Sequence, residues 1–121
     1  MPFSILQRGD FLIASMQSSL SDSEVLRLRD ELSEHVGRAR SKGIVVDVGS
    51  LDVIDSFVCR SLRALALTTK LRGAETVVVG ITPQVAFAMA QLGLDFDDVH
   101  TALDLEEGLE FLHGRTDSMY T

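Results

Sequence analysis

Three short apolar runs, Phe11-Leu-Ile-Ala14, Ile44-Val-Val-Asp-Val48 and Thr76-Val-Val-Val79, punctuate the chain. They are too short for ordinary helices and too continuous for strands with one wet face. They therefore read as strands covered on both sides. Between them lie stretches whose apolar residues recur every three or four positions. Strands that need two covers, alternating with helices able to supply them, imply an α/β domain with a mostly parallel sheet.

The intervening stretches carry their own start and stop signals. Ser21-Asp-Ser-Glu24 is a capping box, in which a serine oxygen and a glutamate carboxylate each satisfy an otherwise free backbone N–H. Val25, Leu28, Leu32, His35 and Val36 follow at helical spacing, with Arg27, Asp30, Glu31 and Glu34 elsewhere on the wheel. This helix is predicted to run to about Lys42 and stop at Gly43. A second helix is predicted from Ser56 to about Arg72, ended by Gly73. Thr82-Pro83 opens a third over Gln84 to Leu92, with threonine as cap and proline at the first helical position. Asp104 caps a fourth through about Leu112.

Ahead of the first helix, Pro2 to Gln7 and Asp10 to Gln17 read as two strands joined by an Arg8-Gly9-Asp10 turn. Val99 to Ala102 reads as a short last strand. The expected architecture is a single domain over residues 1–114 with a flexible tail at 115–121. Its core is a mixed, mostly parallel open sheet of four to five strands. About four helices pack mainly on one face, because right-handed crossovers place consecutive helices together.

Bulk charge narrows the function. The 121 residues carry a formal net charge of -7, which repels nucleic acid and anionic membranes alike. No apolar run approaches the ~18 residues needed to span a bilayer, and the N-terminus lacks the features of a signal peptide. The expectation is a cytoplasmic protein with no nucleic-acid or membrane partner. Cys59 is the only cysteine and reads as a buried small apolar residue.

Enzymatic devices are hard to find. The sequence has no phosphate-binding glycine loop, no dinucleotide fingerprint and no Gly-x-Ser-x-Gly elbow. His35, His100 and His113 are far apart and lack metal-ligand spacing, so no metal and no cofactor are expected. Asp95, Asp97 and Asp98 cluster around Phe96, but without EF-hand spacing they read as a solvated loop. What remains is Asp47 to Phe57, which joins the end of a buried strand to the start of a helix, where sites in open α/β sheets tend to lie. Asp47, Asp52 and Asp55 stand near one hydroxyl, Ser56, without a base or cofactor to make them catalytic. Ser56 then has two readings: part of a helix cap in which either Asp55 or Ser56 accepts from the first-turn N–H groups, or a site where an added phosphoryl group would sit on a helix N-terminus.

Asp47 to Phe57, the helix from Val58 to Gly73, Thr76-Val-Val-Val-Gly80 and Thr82-Pro83 together resemble a STAS domain, the fold of the bacterial anti-sigma-factor antagonists. The resemblance covers residues 3 to about 113. Its hallmark, an acid-Ser pair opening the helix after the third strand, is matched by Asp55-Ser56. Val53-Ile-Asp-Ser-Phe57, Lys70-Leu-Arg-Gly-Ala74, Gly80-Ile-Thr-Pro-Gln-Val85 and Thr101-Ala-Leu-Asp-Leu-Glu-Glu-Gly-Leu109 are similar to the RsbS type of stressosome scaffold. The lack of a sensory segment ahead of the domain points the same way.

The resemblance implies a non-enzymatic scaffold that assembles into a large particle with RsbR-type STAS sensor proteins and holds an RsbT-type serine kinase. Phosphorylation of Ser56 by that kinase would release it, and a separate serine phosphatase would reset the site. Asp52, Asp55, Phe57 and Arg60 are the expected partner-binding residues. Phe57 either packs beneath the loop or stands at the docking surface. Arg60, one turn after Ser56, either pairs with the added phosphate or is simply solvated. Other STAS proteins act as free antagonists of a soluble anti-sigma kinase or as accessory parts of transporters, and those functions stay open alongside an unrelated small α/β enzyme.

Overall fold

A computed structural model of the chain describes residues 3–17, 20–93 and 99–118. The elements run in the order β1 (Phe3–Arg8), β2 (Phe11–Met16), α1 (Asp22–Ala39), β3 (Gly43–Asp47), α2 (Ser56–Leu71), β4 (Glu75–Val79), α3 (Pro83–Gln91), β5 (His100–Ala102) and α4 (Leu105–Ser118). The five strands form one sheet in sequence order, with β1 antiparallel to β2 and every other neighbour pair parallel. Gly9-Asp10 makes the tight hairpin turn, as the sequence suggested.

The central strands are sealed on both faces by the alternation of their side chains. Leu12, Ala14, Ile44, Val46 and Val78 point into a core completed by Val25, Leu28 and Leu32 of α1, by Val58, Leu62 and Leu65 of α2, and by Met89 of α3. Phe11, Ile13, Val45, Val77 and Val79 point the other way, against Leu105, Leu109 and Leu112 of α4. Three helices therefore share one face. The fourth, which follows the last strand and is bound by no crossover rule, covers the opposite face.

Most element ends fall where the sequence puts them. Ser21 and Glu24 form the predicted capping box, with the Ser21 amide donating to Glu24 Oε1 at 2.9 Å. Thr82 and Asp104 accept from Val85 N and Glu107 N, as N-caps should. Cys59 is buried in the main core. His35 is half-buried, with Nδ1 2.8 Å from the Glu31 carbonyl oxygen.

Two expectations need correction. Gly43 does not stop α1. The helix ends at Ala39, Arg40 takes the left-handed conformation at φ 51°, and Lys42 is already tied into the sheet through Asp10 O and Glu75 N. Gly43 is instead the first residue of β3, and a Cβ there would meet Leu112 Cδ2 at 2.9 Å and Phe11 Cδ1 at 3.1 Å. Its small size lets α4 lie close to the strand. Nor does α4 end near Leu112. It continues through Gly114 to Ser118, held by Arg115, which stands 3.4 Å from Glu75 and over the ring of Phe111. The ring of His113 meets Phe11 edge-on at 4.9 Å.

Close approach of α4 also explains Gly108. A mid-helix glycine costs about 1 kcal/mol relative to alanine, yet a Cβ at this position would stand 2.7 Å from Val79 Cγ1 in the sealed second core. Gly108→Ala is expected to destabilise despite its better helix propensity, since overpacking costs about 1–3 kcal/mol. Urea denaturation should show a lower midpoint than wild type. At the other end of the chain, the Ser21 backbone and hydroxyl hold the Glu24 carboxyl below its ordinary value of 4.5. Because the folded-state value is depressed, this contribution is present above the unfolded value and fades as pH falls through the folded one. NMR titration of Glu24 should move upward in Ser21→Ala.

Candidate functional site

The site is built where β3 hands over to α2. Val48 N donates to Val79 O at 3.0 Å, so the chain stays bound to the sheet one residue past the strand. Asp47 Oδ1 accepts from Gly49 N at 2.8 Å and Leu51 N donates to Val48 O at 3.0 Å, which turns the backbone. Leu51 and Ile54 are buried in the main core, and they pin both ends of the short exposed stretch Asp52-Val53. Asp55 then caps α2: its Oδ1 accepts from Val58 N at 2.8 Å, and its carbonyl accepts from Cys59 N.

This settles which residue is the cap. Asp55 performs that task, and Ser56, the first helical residue, is exposed and makes no hydroxyl hydrogen bond among the described residues. The cap occupies one free N–H of the first turn and leaves the positive end of the helix facing the serine. The far end of α2 is held by Thr69, whose buried hydroxyl lies 2.9 Å from that of Thr76 on β4.

Ser56, Asp55 and Asp52 line one wall of a cleft of about 500 Å³. The opposite wall comes from α3: Gln84, Val85, Ala88 and, just past its end, Leu92. Val53 and Leu92 leave 69% and 70% of their surface in water, so the rim is apolar as well as acidic. Among the described residues no histidine, cysteine or cationic side chain lines this cleft. Among the described residues no group of His, Cys, Asp and Glu is placed to hold a metal ion. The geometry offers a hydroxyl to an outside reagent and an apolar rim to a protein surface.

Not every expected site residue converges here. Asp47 is engaged in its own turn with Gly49 and does not reach the cleft. Phe57 is half-buried and packs against the main core beneath the loop. Arg60 is exposed on α2, one turn beyond Ser56, and forms no ion pair among the described residues. The acidic group Asp95, Asp97 and Asp98 lies outside the described residues. The α3 wall was not assigned a role from the sequence, although Thr82-Pro83 marked where that helix begins.

The sequence profile of the STAS domain matches residues 3–108. This chain belongs to the STAS domain family. The STAS fold is shared closely with an RsbS of Moorella thermoacetica carrying a serine-to-glutamate substitution. That protein is 32% identical, with a TM-score of 0.82 over 97% of this chain and 99% of the other. A chain from the structure of the stressosome, described as a signal integration and transduction hub, is 34% identical with a TM-score of 0.78, over 93% of this chain and 98% of its own. In Bacillus subtilis (strain 168), the RsbT co-antagonist protein RsbRA is 24% identical over 105 residues, 87% of this STAS chain. The chain spans only 38% of the length of RsbRA and 24% of the related RsbRD. Among the described residues no helix is long and apolar enough to cross a membrane.

The division of labour in the loop gives a stability test. Asp55→Ala removes the cap and is expected to cost about 0.5–2 kcal/mol. Asp52→Ala, at an exposed position with no hydrogen bond or ion pair among the described residues, should stay within about 0.5 kcal/mol of wild type. Chemical denaturation of the two variants side by side measures the difference.

Proposed function

We propose that this STAS domain is a phosphorylation-gated, non-enzymatic scaffold of a cytoplasmic stress-signalling particle of the stressosome type. In its unmodified form it co-assembles with RsbR-type STAS sensor proteins and holds an RsbT-type serine kinase. The kinase transfers the γ-phosphoryl group of ATP to Ser56 Oγ, ADP leaves, and the kinase is released. A serine phosphatase restores the hydroxyl by hydrolysis.

One observation carries this reading: the Ser56 hydroxyl is open to solvent at the head of a capped helix, on the rim of a cleft able to receive a partner. The helix end tolerates a phosphate, because an anion at an N-terminus is favoured by about 0.3–1 kcal/mol. A partner seated over the cleft does not tolerate it. Phosphorylation adds about -1.5 to -2 charge beside Asp52 and Asp55, and like charges under a docked surface cost several kcal/mol. Arg60, four residues on and on the same side of the helix, is the nearest cation in sequence to meet the new charge. The likeness to RsbS and to a stressosome chain supports the same reading, as does the description of RsbRA as a co-antagonist of RsbT.

Incubation with an RsbT-type kinase and ATP should label the native protein at Ser56 and leave Ser56→Ala unlabelled. Ser56→Asp should fold normally and lose kinase binding in a titration. Equal labelling of Ser56→Ala, or unchanged affinity of Ser56→Asp, would remove the proposal. Particle size separates the scaffold from a free anti-sigma-factor antagonist: only the scaffold forms very large particles with an RsbR-type partner.

A further inference from the structure

Charge is unevenly spread over this acidic chain. The whole sequence carries -7, yet α2 contains Arg60, Arg63 and Lys70 and no acid at all. None of the three forms an ion pair among the described residues. Dipole compensation accounts for Lys70 in the last turn but not for Arg60 and Arg63, which lie in the N-terminal half of the helix. At about 100° per residue, Arg63, Leu67, Lys70 and Leu71 share one side of α2, opposite the buried Val58, Leu62, Leu65 and Thr69. Leu67 and Leu71 leave 62% and 81% of their surface exposed. Two bare leucines framed by cations make a surface suited to an acidic, partly apolar partner.

The same chain carries the complementary surface. Asp104, Glu106, Glu107 and Glu110 are exposed at the head of α4, and none forms an ion pair among the described residues. Leu103 beside them is 78% exposed. The α2 stripe and the α4 head belong to helices on opposite faces of the sheet, so within one copy these two surfaces do not meet. A two-fold contact of α2 with α2 would set like charges against each other. Opposite charges meet only if the two different surfaces pair, head to tail.

We propose that the outer side of α2, from Arg63 to Leu71, docks the acidic start of α4, from Leu103 to Glu110, on a second copy of this chain. Such a heterologous contact repeats from copy to copy and closes into a ring or runs on as a chain. The proposal rests on the self-association part of the scaffold reading and supplies its surface. Arg63 lies about 10 Å along α2 from Ser56 and on the same side of the helix, so the stripe begins two turns beyond the switch.

Charge reversal tests the contact on the full chain by sedimentation. Wild type is expected to form species larger than a dimer at low salt, weakened about tenfold or more at about 0.5 M NaCl, where charges are screened within a few ångströms. The double variant Arg63→Glu/Lys70→Glu and the double variant Glu106→Lys/Glu107→Lys should each stay monomeric while keeping the wild-type circular dichroism. Mixed in equal amounts they should associate again, because at every junction between them the substituted positions of one copy meet the opposite sign on the other. The proposal is overturned if wild type is monomeric or only dimeric at low salt, if either variant associates like wild type, or if the mixture stays apart. Particles formed with an RsbR-type partner separate the two readings. Normal particles built with Arg63→Glu/Lys70→Glu overturn the contact and leave the scaffold standing. Failure of wild type to enter any such particle removes the scaffold reading itself.

Discussion

The burial of β2, β3 and β4 on both faces governs the rest of the molecule. Val45, Val46, Val77, Val78 and Val79 are wholly removed from water, which requires a helical layer on each side of the sheet. Each fully buried valine contributes roughly 1.5–3 kcal/mol over an exposed one, so neither layer is dispensable. Three helices are forced onto one face by the crossovers, and α4 must cover the other alone. That demand explains why Gly43 and Gly108 are glycines: one helix covering several strands has to lie close to them.

The same constraint places the site. With β3 and β4 locked side by side, the C-terminal end of β3 has a fixed position, and Leu51 and Ile54 carry that fixity through the loop. By the time the chain reaches Asp55, little conformational freedom is left to its backbone. Ser56 is therefore presented from a backbone held by Leu51, Ile54 and the Asp55 cap.

What could be read from the sequence was chemistry that acts over a few residues. The Ser21–Glu24 box, the Thr82-Pro83 start, the Asp104 cap and the valine-rich strands all declare themselves within a turn or a strand length, and they fall where expected. The acid-Ser pair was legible for the same reason, and only the structure divides its labour, giving the cap to Asp55 and leaving the hydroxyl of Ser56 exposed. Gly43 was misread because a helix stop and a close helix-strand contact call for the same residue. The length of α4 was misread because Arg115 finds its partner, Glu75, forty positions earlier in the chain. The α3 wall of the cleft was invisible because nothing in residues 84–92 states which loop they will face.

The sheet has two unequal borders. β5 is only three residues long and offers almost no free backbone for another strand to pair with, whereas β1 spans six. Two copies joined through β1 would each turn the short border outward, and growth by strand addition would end there. Any contact beyond such a pair would rest on side chains of helices and loops, not on strand pairing. Contacts of that kind are loosened or tightened by altering one or two charges.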